Sequence, residues 1–121
     1  MDAIQAAKDQ SLFRGVNERL LDMNEGFEQA SGDSEFLCEC ASQDCIKQVS
    51  LTVDAYEQVR RVPTHFAVAA GMEHVFPEVE RIFESHGGYW VVEKFGEAGV
   101  AAIKLDPRRR TGRVELYRVA A

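Results

Sequence analysis

The sequence predicts an α+β fold: a long N-terminal helix packed on a small antiparallel sheet, with a hairpin whose tip carries cysteines. Three observations predict it. Residues 3–30 carry apolar side chains at helical spacing, the later chain breaks into short β-branched and aromatic runs separated by turn residues, and all three cysteines fall within Phe36–Cys45, FLCECASQDC. At 121 residues and 45% hydrophobic, the chain fits one domain with a modest core. A metal in such a domain assists folding and is not obligatory for it.

In the N-terminal helix, Phe13, Val16, Leu20, Met23 and Phe27 follow a 3-4-3-4 spacing that places them on one stripe. The stripe is made to be covered, either by the domain's own sheet or by a second copy or a partner helix. Gly15 marks a kink and Gly26 the start of fraying, because each costs about 1 kcal/mol relative to Ala inside a helix. After the polar loop Ser31–Ser34, Glu35–Cys40 reads as a short strand and Ile46–Leu51 as its partner, with Val49 and Leu51 inward. Thr52 is an N-cap for a helix Val53–Arg61, which presents Val53, Tyr56 and Val59 or Arg60 on one side and ends at Pro63.

His65–Ala70 reads as a buried strand between Pro63 and Gly71. Glu78–Ser85 fits a helix begun by Pro77 or a strand of a hairpin turned at Gly87-Gly88 and completed by Tyr89–Phe95; the hairpin is favoured. Glu97–Gly99 is then a turn and Val100–Leu105 a weak strand. Glu78, Glu80 and Glu84 read as a solvated face, and one ring of the Tyr89–Trp90 pair as core. These elements make one domain over residues 1–106, followed by a basic, mobile tail at 107–121.

Charge is divided unevenly. Residues 1–103 carry a net −10 and residues 104–121 a net +4. An acidic body repels nucleic acid over most of its surface, which leaves Arg108–Arg110 and Arg113 as the place where a phosphate backbone could be met. No apolar run approaches the roughly 18 residues that cross a bilayer, and MDAIQAAKDQ lacks a signal-peptide pattern, so a cytoplasmic location is expected. An odd number of cysteines in a reducing compartment argues against structural disulfides.

Cys38 and Cys40 point to one face of an extended segment, and Cys45 returns to them across the Ala41–Asp44 turn. Three sulfurs need a fourth donor for a closed tetrahedral zinc site, with bonds of about 2.0–2.3 Å. His74, in the irregular Gly71–Pro77 connection, is the first choice, and His65 is the alternative; His86 lies at a distant turn and Asp44 offers a poorer oxygen. Three thiolates acidify a bound water only weakly, so structural Zn2+ is favoured over catalytic use. A redox role is weakened by Glu35, Glu39 and Asp44, whose charges oppose a thiolate. There is no Walker loop, no Gly-x-Gly-x-x-Gly and no His-Glu-x-x-His. His86 beside Glu84 reads as a solvated turn histidine, not an acid/base pair.

With Cys38-Glu39-Cys40 and Cys45, Leu51-Thr52, Tyr56-Glu57, Pro63 and Phe66, Gly71, Pro77-Glu78-Val79-Glu80, and Tyr89 with Val91-Val92-Glu93-Lys94, the chain resembles a family of small, functionally uncharacterised bacterial proteins. The likeness spans about Phe13 to Lys94. It implies a shared fold and points to a shared metal site, and it brings no established activity. Two positions depart from the family pattern. Ala55 stands where the pattern has Glu, removing a capping box, and Met72 stands where the pattern has the loop histidine, which leaves His74 as that loop's imidazole.

The expected function is a small zinc-stabilised, non-enzymatic binding or regulatory module, with zinc on Cys38, Cys40, Cys45 and His74 and a protein partner or second copy on the Phe13–Phe27 stripe. Two alternatives are a thiol-based redox sensor or metalloenzyme using the same cysteines, and nucleic-acid contact through the Arg-rich tail.

Overall fold

The computed structural model describes residues 2–25, 32–42 and 44–108. Helix α1 (Ala3–Glu25) is followed by a two-stranded antiparallel hairpin of β1 (Ser34–Leu37) and β2 (Gln48–Leu51), and then by helix α2 (Val53–Arg60). A three-stranded antiparallel sheet is built from β3 (His65–Ala69), β4 (Glu80–Ser85) and β5 (Tyr89–Lys94), in the order β3-β5-β4. Helix α3 (Gly96–Leu105) closes the described chain. The arrangement is α+β, as the sequence predicts.

Much of the local structure follows from residue chemistry. Val49 and Leu51 are buried while Ile46 is almost fully exposed, which fixes the register Phe36↔Val49 of the hairpin. Thr52 caps α2, its hydroxyl accepting the Ala55 N–H at 3.0 Å, and Val53, Tyr56, Val59 and Arg60 are all buried. The Tyr56 ring stacks on Phe36 with centroids 4.4 Å apart. Every residue of β3 is buried, consistent with its apolar run between Pro63 and Gly71. Residues 80–94 form the expected hairpin, with a bulge between Ile82 and Glu84.

Four expectations are corrected. Val100–Leu105 is not a strand and Glu97–Gly99 is not a turn; both lie in α3, where Ala98, Ala101 and Ala102 are buried. Its two glycines suggested a break, but Gly99 is there for clearance, since a Cβ at that position would sit 3.1 Å from the carbonyl oxygen of Lys94. Glu80 is not solvated: it is buried and accepts from Lys94 Nζ at 2.9 Å. Tyr89 and Trp90 both pack partly against the core, so neither is the fully buried ring. Finally, α1 does not turn its apolar stripe inward. Val16 and Met23 are exposed, Phe13 and Leu20 are half-buried, and Phe27 lies outside the described residues, as do 26–31, where the expected helix end at residue 30 falls.

The buried stripe of α1 is instead Ala7, Gln10, Arg14, Asn17 and Leu21, at the same 3-4-3-4 spacing. Its polar members satisfy backbone and carboxylate groups that the sheets leave open. Arg14 donates to the carbonyls of Pro63 (2.8 Å) and His65, and its guanidinium lies 3.6 Å from the centroid of the Phe66 ring. Asn17 both donates to the Leu37 carbonyl (2.9 Å) and accepts from the Leu37 N–H (2.7 Å). Gln10 donates to the Glu39 carbonyl and to Glu80, both at 3.1 Å.

A second buried network holds the end of the described chain. Asp106 accepts from Arg60 at 2.6 and 3.2 Å and faces Arg14 at 3.5 Å. Arg60 also donates to Glu18 at 2.5 Å, and Arg108 donates to Glu18 at 2.7 Å and to Glu57. Arg108 is therefore buried and ion-paired against α1 and α2. Residues 109–121, which hold the rest of the basic tail, lie outside the described residues. Among the described residues, no helix is long and apolar enough to cross a membrane.

Candidate metal centre

The site forms where the β1–β2 connection meets the loop after β3. Cys38 N–H donates to the Lys47 carbonyl (2.9 Å), extending the hairpin one step, after which the chain turns so that Glu39 N–H donates to the Ala67 carbonyl of β3 (2.8 Å). The Ser42–Cys45 turn, closed by Cys45 N–H to Ser42 carbonyl at 3.3 Å, returns the third sulfur. Cys38 and Cys40 are fully buried, Cys45 is half-buried, and none is in a disulfide.

On the other side, Gly71 opens a single 3-10 turn, Met72–His74, held by His74 N–H to the Gly71 carbonyl (3.1 Å). Gly71 has φ +140°, and a Cβ there would lie 2.3 Å from the Glu73 carboxylate. The turn throws Met72 outward and His74 inward. His74 Nδ1 comes to 3.7 Å from both Cys38 Sγ and Cys45 Sγ, and its Nε2 lies 4.0 Å from Glu73 Oε2.

Cys38, Cys40, Cys45 and His74 thus place their ligand atoms within 4.8 Å of one another, close enough to hold a metal ion. These are the four residues the sequence singles out. His65, the alternative fourth ligand, is elsewhere: its Nε2 is 3.1 Å from Glu93, whose carboxyl it holds below the ordinary range, and its ring packs on Phe83 at 4.3 Å. His65 and His86 both line a separate cleft of about 400 Å³ between α2 and the three-stranded sheet. His86 is exposed there beside Glu84 (3.1 Å) and stacks on Tyr89 (4.4 Å).

The donor set fits a soft or borderline transition metal. Three sulfurs and one imidazole nitrogen suit zinc, and the absence of carboxylate oxygens from the set disfavours magnesium or calcium. Backbone N–H groups are directed at the sulfurs: Ala69 N–H donates to Cys38 Sγ at 3.1 Å, and Cys40 and Cys45 receive backbone hydrogen bonds from Ser42 and Lys47. Such donors disperse thiolate charge. The hydrogen bond shared with Cys38 pushes the Cys40 thiol down to about 5, while the same bond and burial drive Cys38 far upward; burial raises Cys45.

The residue that sequence reasoning missed is Glu39. Lying between two ligands, it looked like a charge that would burden the thiols. It is instead fully buried, its carboxylate accepting from Ala67 N–H (3.0 Å), Asn17 Nδ2 (2.9 Å) and Tyr56 OH (2.5 Å). Its signal was present in the alternation: if Cys38 and Cys40 share one face, Glu39 must take the other. Through Glu39 and Cys38 the cysteine turn covers the edge of β3 that faces away from β5, and Arg14 covers its start at the His65 carbonyl.

Set against family models, curated proteins and solved structures, the chain has no match in any of the three comparisons.

Proposed function

We propose that this chain is a small zinc-stabilised, non-enzymatic binding or regulatory module that acts through a protein partner. The observation that carries the reading is the closed donor set: three sulfurs and one imidazole converge from two loops, all supplied by the protein. A tetrahedral ion held by four side chains has no open position for substrate, which is the pattern of a structural and not a catalytic zinc. The position of the centre supports the same role, because it ties the hairpin to the loop after β3 and seats Glu39 among α1, α2 and β3.

The partner surface assigned to this module is the outer stripe of α1. Phe13, Val16, Leu20 and Met23 are only partly covered by the rest of the fold, and Leu12 beside them is largely exposed. Nucleic-acid contact is the weaker reading, since Arg108 is committed to Glu18 and Glu57.

Metal analysis of untagged protein tests the reading. About one zinc per chain is expected, with loss of the ion and a lower melting temperature in Cys40→Ser. A metal-free protein of unchanged stability would sink it. For the partner surface, Val16→Glu with Met23→Glu is expected to leave the melting temperature within a few degrees while abolishing self-association or partner capture; unchanged association removes α1 from the proposal.

A further inference from the structure

We propose that Cys45 is the oxidant-sensitive ligand of this centre, and that a peroxide-class oxidant ejects the metal by joining Cys45 to Cys40 in a disulfide. The proposal rests on the metal reading above and adds a means of control to it.

Exposure is the first argument. Cys38 and Cys40 are 1% and 0% exposed, whereas Cys45 is the half-buried sulfur of the three, carried on a turn whose neighbours Asp44 and Ile46 face solvent. An oxidant arriving from water therefore meets Cys45 first, and thiol oxidation follows exposure as well as thiolate character. Proximity is the second. The sulfurs already lie within 4.8 Å of one another, so side-chain rotation with a small closure of the turn brings a pair to the roughly 2.05 Å of a disulfide.

The sulfurs also differ in how they are tethered. Cys38 is tied to β3 through the Ala69 N–H, while Cys40 receives its backbone hydrogen bond from Ser42 and Cys45 from Lys47, neither of which belongs to β3. Cys40 and Cys45 can therefore approach each other without breaking the hydrogen bond that ties Cys38 to β3. Two of the carboxylates that argued against redox chemistry in the sequence are also directed elsewhere: Glu39 into Asn17 and Tyr56, and Glu35 onto the Ser50 hydroxyl at 2.8 Å.

The step balances. Cys45 Sγ attacks one oxygen of the peroxide; an S–O bond forms, the O–O bond breaks, and hydroxide leaves to solvent. Cys40 Sγ then attacks the Cys45 sulfur; the S–S bond forms, the S–O bond breaks, and a second hydroxide leaves. Two thiolates lose two electrons to the peroxide. The ion is left with Cys38 and His74, half of its donors, and is released. A small-molecule dithiol reverses the change by reducing the disulfide.

The experiment uses the full chain loaded with zinc and treated with hydrogen peroxide, with released zinc followed by a chromogenic chelator and disulfides mapped by mass spectrometry. Stoichiometric release together with a Cys40–Cys45 disulfide, reversed by dithiothreitol and added zinc, is expected. Cys45→His preserves four donors without the exposed sulfur, and its release is expected to be roughly tenfold slower or more. A loaded protein that keeps its zinc under peroxide, a disulfide that contains Cys38, or a Cys45→His variant that releases at the wild-type rate each overturns this proposal and leaves the metal reading standing. A wild-type chain that takes up no zinc overturns the metal reading and this proposal together. If Cys45→His does not hold zinc, the disulfide map of the wild-type protein decides by itself.

Discussion

Replacing Glu39 with Ala removes the acceptor for three buried donors: Ala67 N–H at 3.0 Å, Asn17 Nδ2 at 2.9 Å and Tyr56 OH at 2.5 Å. A hydrogen bond to a charged group contributes about 1.5–3 kcal/mol, and a buried donor left unpaired costs about 1–3 kcal/mol. Neighbouring effects do not add fully, so the expected loss is about 4 kcal/mol, a large share of the roughly 5–15 kcal/mol that holds a domain together. Urea titration of the metal-loaded variant, followed by tryptophan fluorescence from Trp90, measures it. Glu39→Gln keeps the volume and one acceptor but sets an amide against donors, and is expected to lose about half as much. A Tyr56→Phe change made in the Glu39→Ala background is expected to cost far less than in the wild type, because the partner is already gone. A Glu39→Ala protein within 1 kcal/mol of wild type would show that the carboxylate does not organise the polar interior.

Asp106→Ala leaves Arg60 with Glu18 alone and removes the carboxylate 3.5 Å from Arg14; a loss of about 3 kcal/mol in chemical denaturation is expected, at the low end for broken buried pairs, and a loss under 1 kcal/mol would refute the clamp. Burial pushes the Asp106 carboxyl up, but its bonds and charge interactions with Arg60 and Arg14 outweigh this and hold it below the ordinary 3.8; Glu18 is held below 4.5 in the same way by Arg60 and Arg108. These depressed values add stability that is fully present above the unfolded-state values, so stability should be flat in this respect above about pH 5 and fall as acid drives through the folded values. A fall that begins near neutral pH, in metal-free protein, would assign acid sensitivity elsewhere. Gly71→Ala forces a Cβ into a φ of +140° against the Glu73 carboxylate; zinc affinity measured by chelator competition should drop about tenfold, and unchanged affinity would mean that the 3-10 turn does not position His74.

The convergence of Cys38, Cys40, Cys45 and His74 was legible because donor chemistry constrains it. Three cysteines within eight positions leave few geometries, and once Met72 is recognised as unable to donate nitrogen the loop offers only His74. The hairpin, the Thr52 cap and β3 were legible because local rules and tertiary packing agree there. Helix α1 shows the opposite case. Two stripes run along it at the same spacing, and hydrophobicity selects Phe13, Val16, Leu20 and Met23, whereas the fold buries Gln10, Arg14 and Asn17 because open carbonyls at Leu37, Glu39, Pro63 and His65 need donors. Those acceptors come from segments 20 to 51 residues away, so no window along the helix contains them. In α3, Gly96 and Gly99 favour a turn by local propensity, against the helix that Ala98, Ala101 and Ala102 pack, and Gly99 serves a contact with Lys94 that only the folded chain reveals.

That polar inner stripe also makes the placement of α1 all-or-none. Leucines facing a greasy surface can slide by a turn and find equivalent neighbours, but each of Gln10, Arg14 and Asn17 has partners fixed in place and in donor-acceptor sense. Shifting α1 by one turn, about 5.4 Å, would unpair all three together with the carbonyls and carboxylates they serve. The helix therefore acts as a key with three teeth: its cut, more than its grease, decides where it stops, and the outer stripe it carries is presented to solvent at one fixed height and angle.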